Sequence, residues 1–141
     1  MTFPGQEPLP GLPYADEYVA LRHVSGERIV VMERSAVPFP EGEAEIEEAF
    51  LGFVTVLRGL PQAELHLIID SRRAPGRNDE AFERVQRKYR RDLFNAFRST
   101  TVVLASVIGR MQVARYEREA GRRDSGQFAS VEDAIEALRG T

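Results

Sequence analysis

Cysteine is absent from the sequence, which removes disulfides, thiolate nucleophiles and cysteine zinc sites from consideration. Histidine is nearly absent too. His23 and His66 are the only imidazoles, whereas a structural zinc site takes about four nitrogen or sulfur ligands. The expectation is therefore no metal and no cofactor. Apolar runs fall far short of the ~18 residues that a membrane-spanning helix needs. The opening MTFPGQEPLPGLPYADE has neither a basic start nor a continuous apolar stretch, so it reads as neither signal peptide nor membrane span, and a cytoplasmic location is expected. The glycine spacings of a P-loop and of a dinucleotide fingerprint are missing as well, so nucleotide hydrolysis is not indicated. No nucleophile, base and orienting group can be named together, and the chain is read as a non-enzyme.

What is present suits one packed domain. The length of 141 residues and the hydrophobic and charged shares of 43% and 29% are ordinary for a globular chain with a single core. The net charge of −3 hides an asymmetry: residues 1–70 sum to −8 and residues 71–141 to +5. Such polarity motivates a search for a charged partner, provided that it survives folding.

Pro4, Pro8, Pro10 and Pro13, with Gly5 and Gly11 among them, interrupt helix and ladder alike, so residues 1–14 read as a flexible arm and 15–141 as the domain. Two β-branched runs around Ser25-Gly26 predict a hairpin of 17–24 and 27–33. Past Pro38 and Pro40, the spacing of Ile46, Ala49, Phe50, Phe53, Val54 and Leu57 marks one face of a helix, with Glu41, Glu43 and Glu45 at its start and Gly59 and Pro61 as the stop. ELHLIID (64–70) is a nearly unbroken apolar run, as in a strand covered on both faces. In SRRAPGRND (71–79), Pro75-Gly76 marks a turn, and Asn78 or Asp79 can cap the following helix.

That helix is expected over 79–98, with Phe82, Val85, Tyr89, Leu93, Ala96 and Phe97 on an apolar side and Arg84, Arg87, Lys88 and Arg91 on a basic one. TTVVLASV (100–107) is a second buried-type strand. A weaker helical pattern with Met111, Val113, Ala114 and Tyr116 runs from Gly109 to about Ala120. A short strand at 127–129 precedes Ser130, an N-cap for the helix VEDAIEALRG. The order β-β-α-β-α-β-α-β-α predicts an α/β fold: a mostly parallel sheet of four to five strands, an N-terminal antiparallel hairpin and four helices.

Three places in this order carry a family likeness: the strand ending in Asp70, the loop and helix start at Asn78-Asp79, and the tail GQFASVEDAIEAL. Together they resemble the STAS domains of bacterial anti-sigma-factor antagonists and related STAS/SEC14-like small proteins. The resemblance implies a non-catalytic, regulatory module that docks a protein partner. In switched members, a serine or threonine near the start of this helix is phosphorylated. Here Asn78-Asp79-Glu80-Ala81 falls over that motif, so no hydroxyl is available and Asp79 supplies a fixed carboxylate; Ser71 lies at the other end of the loop.

The candidate partner or anion site is Arg72, Arg73, Arg77, Asn78 and Asp79, extended along the helix by Arg84 and Arg87. It sits where open α/β sheets bind ligands, between a strand's C-terminal end and a helix N-terminus. The alternative for each arginine is a solvated face with i,i+4 pairs, Glu80–Arg84 and Glu83–Arg87. A carboxylate pair of Asp70 and Asp79 would raise one pKa, but the neighbouring arginines favour ionisation of both. His66 reads as a hydrogen-bonded strand residue and His23 as exposed on an edge strand, neither as a catalytic base. Nucleic acid is not expected as a partner, since no aromatic residue accompanies the arginines for stacking. Two other roles stand beside docking or anion binding at these arginines: a small-ligand or lipid-binding domain of the SEC14-like kind, with a cavity lined by Phe50, Phe53, Phe82, Tyr89 and Phe94, and a structural homodimer.

Overall fold

The computed structural model describes residues 9–105 and 127–139. Six strands form one mixed sheet in chain order: β1 (Tyr14–Ala15), β2 (Val19–His23), β3 (Ile29–Arg34), β4 (His66–Asp70), β5 (Ser99–Val103) and β6 (Gln127–Phe128). β1, β2 and β3 pair antiparallel; β3 through β6 pair parallel. Three described α-helices join them: α1 (Glu43–Arg58), α2 (Glu80–Lys88) and α3 (Val131–Leu138). The α/β class, the hairpin and the parallel strands agree with the sequence reading. The helical pattern of 109–120 lies outside the described residues. No described helix is long and apolar enough to cross a membrane.

Alternation along the central strands sends side chains to two separate cores. Val30 and Met32, Leu67 and Ile69, and Val102 pack under α1 and α2, against Ile46, Phe50, Phe53, Val54 and Leu57 of α1 and Phe82 and Val85 of α2. Ile29 and Val31, Ile68 and Val103 pack on the opposite face with Val131 and Ala134 of α3. Each buried Val, Leu, Ile or Phe stabilises the fold by roughly 1.5–3 kcal/mol, so the larger first core dominates.

Local chemistry sets the boundaries. Gly26 has φ of +79° in the hairpin turn, a conformation open to glycine at little steric cost. Ser130 caps α3, accepting the Asp133 N–H at 3.1 Å, and Asp79 caps α2, accepting the Phe82 N–H at 3.2 Å.

Two expected elements differ. The expected arm does not stand free where it is described: Leu9, Leu12 and Tyr14 pack against the first core. Its prolines exclude regular structure but not apolar contact, and the Tyr14 hydroxyl, hydrogen-bonded to Asp16 at 2.7 Å, approaches α1 so closely that a Cβ on Gly52 would lie 2.9 Å from it. The helix expected over 79–98 is also interrupted. α2 ends at Lys88 and a π-turn follows at Arg91–Asn95, closed by the Ala96 N–H on the Arg91 carbonyl at 2.9 Å. The Thr100 hydroxyl of β5 donates to the Leu93 carbonyl at 2.6 Å, occupying a backbone acceptor in the widened turn. Tyr89, Leu93 and Phe97 remain buried across the break.

Candidate functional site

The parallel strands β3 and β4 end beside each other, Glu33 opposite Asp70, and the loops leaving them meet the start of α2. Most of the arginines singled out in the sequence lie here or along α2, and the structure binds several of them internally. Arg72 folds back on Asp70, Nε to Oδ1 and Nη2 to Oδ2 both at 2.9 Å. Burial alone would raise the Asp70 carboxyl; the hydrogen bonds and charge of Arg72 outweigh it and hold it below its ordinary value. Arg77 grips Asp79 with Nε at 2.7 Å and Nη2 at 2.9 Å, while Nη1 donates to the Phe39 and Pro40 carbonyls, both at 2.8 Å. Chiefly through the Arg77 hydrogen bonds, the Asp79 carboxyl is held down to about 2. Each aspartate thus has its own guanidinium, and both are held ionised.

Along α2 the basic side chains are turned toward α1. Arg84 pairs with Glu43 at 2.6 Å and with Glu80 at 2.7 Å, Lys88 pairs with Glu47, and Arg58 of α1 reaches Asp92 at 2.9 Å. The acidic first half and the basic second half meet across this helix pair, so much of the sequence polarity is neutralised within the fold. Arg73 is different: its side chain is 67% exposed and its contact to Glu33 is long, at 3.9 Å. Arg87 is exposed, as is Asn78.

Behind the loops, between the sheet and the helices α1 and α2, lies a partly open cavity of about 80 Å³. Phe50, Phe53, Phe82 and Phe94 line it. Tyr89, grouped with them in the sequence reading, instead stacks behind Phe50 at a ring separation of 5.8 Å. Met32, Ile69 and Val102 form the sheet wall, and polar atoms enter from Arg34, Ser71 and Gln86.

Arg34 is the residue that sequence reasoning missed. It ends β3 opposite Val19, two residues beyond Met32, so the strand's period of two carries its side chain onto the face of the first core. Its Nε is buried without a hydrogen-bond acceptor. Desolvation pulls the guanidinium pKa down to about 10, so it is charged at neutral pH. The described compensation is the Phe39 ring, 4.6 Å from the guanidinium carbon, and a ring face attracts a cation without neutralising it. The missed signal was in IVVMER itself: extending the inward alternation Val30, Met32 by one step reaches Arg34.

Phe39 links the two regions. Its ring lies between Tyr18, Phe50 and Phe82 at centroid separations of 5.0, 5.1 and 6.0 Å, and its carbonyl is held by Arg77. Arg77 therefore positions the aromatic wall under which Arg34 sits.

His66 is a hydrogen-bonded strand residue, its Nδ1 2.6 Å from the Ser99 hydroxyl, whereas His23, expected exposed on an edge strand, is half-buried on β2 between β1 and β3, its Nε2 2.6 Å from the Glu27 carbonyl in the hairpin turn.

Compared with known proteins, the chain matches no family model, no curated protein and no solved structure.

Proposed function

We propose that the chain is a non-catalytic binding module of STAS-like type whose ligand is a small molecule held in the cavity between the sheet and helices α1 and α2. One observation carries the reading: a pocket walled by phenylalanines is bordered by the half-buried Arg34, whose guanidinium has no described counter-ion. Apolar walls with a few convergent polar groups are the usual make-up of a ligand site. A buried charge without a partner is costly to a fold, and a ligand that supplies the missing interaction recovers that cost on binding. The STAS-like assignment is supported by the leading hairpin, the parallel strands after it and the Ser130-capped final helix.

The test is a thermal-shift screen of small apolar and amphiphilic fragments on the wild type and on Gln86→Trp. Gln86 lines the cavity from α2 and is half-buried, so an indole there obstructs the space without entering the tight core. Fragments that stabilise the wild type and lose their effect on the variant support the reading. Equal shifts on both proteins, or none on either, overturn it.

Docking of a protein partner through the 72–79 loop is a second reading, favoured by the exposure of Arg73 and Arg87. Native mass spectrometry separates the readings: a retained small mass favours the cavity, a clean dimer favours self-assembly, and a bare monomer leaves docking.

A further inference from the structure

Resting on the cavity reading, we infer that the ligand is a short-chain monocarboxylate, of the acetate, propionate and butyrate class, with its carboxylate on the Arg34 guanidinium. Three features of the cavity select this chemistry.

Charge comes first. Arg34 is the cationic residue of the lining, accompanied by two neutral polar residues, Ser71 and Gln86. One guanidinium balances one negative charge. A phosphate dianion in the same place would carry a second charge into a low-dielectric site with no second cation among its described lining residues. Shape comes next. A carboxylate is planar and presents two oxygens, matching the parallel N–H bonds of a guanidinium fork, and Arg34 borders the cavity with no described carboxylate on it. Ser71 and Gln86 offer neutral hydrogen bonds to the same headgroup.

Size sets the upper limit. A cavity of ~150 Å³ lined by apolar side chains encloses benzene, so about 80 Å³ encloses roughly half as many heavy atoms. A carboxylate with a tail of one to three carbons fills that space and the cavity's open side. Met32, Phe53 and Val102 present no polar atom to the tail, so a hydroxyl or amine there would be buried unpaired. Long-chain fatty acids and aromatic acids exceed the space.

The experiment is isothermal titration of the full chain with propionate and butyrate, alongside butanamide, n-butylammonium, inorganic phosphate and octanoate, repeated on Arg34→Met. The variant keeps an unbranched side chain of similar reach and removes the charge, so it is expected to fold. The expected result is 1:1 binding of propionate and butyrate, about tenfold or more weaker binding of butanamide, and a similar loss for butyrate on Arg34→Met, the scale for removing a charged hydrogen bond. Butanamide binding as tightly as butyrate would leave the cavity reading standing and overturn the carboxylate. Tighter binding of phosphate would overturn the monoanion, and tighter binding of octanoate the size limit. If butyrate binds Arg34→Met as well as the wild type, its site is elsewhere and the assignment to Arg34 falls. Failure of every probe on the wild type overturns the assignment of this ligand class, while fragments lost on Gln86→Trp would still uphold the cavity.

Discussion

Two arginines near one another in the fold live in opposite circumstances. Arg77, in the loop before α2, donates four hydrogen bonds, two to a carboxylate and two to carbonyls. Arg34, at the end of β3, is half-buried against the Phe39 ring with its Nε unpaired. The first is built as a structural clasp: its donors are satisfied, and what it holds is the Phe39–Pro40 segment. The second has the features of a receptor, because its side chain borders the cavity with no described carboxylate on it. The contrast teaches that arginine density in a sequence is a poor guide to a binding site. A cluster of arginines interspersed with aspartates satisfies itself, whereas a single arginine reached by apolar alternation does not.

The largest effect expected from this contrast is at the clasp. Arg77→Ala removes charged hydrogen bonds to Asp79 and leaves the Phe39 and Pro40 carbonyls to find water, a loss of about 2 kcal/mol, read as a lower urea midpoint with unchanged slope. It should also weaken ligand binding, since Phe39 loses its anchor. Next in size, and opposite in sign, is Arg34→Met. Replacing a half-buried cation whose Nε has no acceptor by an apolar chain is expected to stabilise the ligand-free protein by up to about 1 kcal/mol, read as a raised melting temperature. A destabilised Arg34→Met would break the comparison, because it would make Arg34 structural as well.

The pH response sharpens the same contrast and is smaller. The Asp79 carboxyl is lowered to about 2 in the fold against an ordinary aspartate value near 3.9. Its contribution is therefore fully present above the ordinary value and is lost as pH falls through the folded one. The stability difference between wild type and Arg77→Ala should narrow below about pH 4, while the part owed to the two carbonyls persists. Arg34 moves the other way. Its pKa is lowered to about 10, so the fold binds its proton less tightly than the unfolded chain does, and the penalty is constant at all pH well below that value. The gain from Arg34→Met should stay level from acid to about pH 9. Thermal melts of the three proteins across this range check both slopes.

The same distinction explains what was legible in the sequence. Periodicity located the hairpin, α1, β4, β5 and α3, because each has one dominant apolar pattern and a local stop signal such as Gly59 or a cap such as Ser130. The Asp79 cap was legible for the same reason. The break after Lys88 was not, since Tyr89, Leu93 and Phe97 keep a helical spacing of four across the π-turn, and the widened turn is stabilised by Thr100 from another strand. The pairing of α1 with α2 was invisible as well: Glu43–Arg84 and Glu47–Lys88 are long-range contacts, and only the fold converts an apparent charge imbalance into neutralised pairs. Four of the five aromatic residues grouped as cavity walls line the cavity, yet the charged group among them was passed over because a lone arginine at a strand end reads as a solvent-facing terminus.

The smallest expected effect concerns the arginines left outside both settings. Arg73 is largely exposed, with its carboxylate neighbour at 3.9 Å, and Arg87 is exposed on α2. Exposed ion pairs contribute about 0–1 kcal/mol, and surface substitutions away from special features stay within about 0.5 kcal/mol. The double variant Arg73→Ala plus Arg87→Ala should therefore unfold at nearly the wild-type urea midpoint and bind butyrate unchanged. Residues that neither hold the fold nor touch the cavity are the ones on which a protein interface can be tested cleanly, whereas Arg77→Glu would confuse a lost partner with a lost clasp. A stability loss above about 1 kcal/mol in the double variant would show that these arginines belong to the satisfied network, and the division between clasp and free charge would have to be redrawn around them.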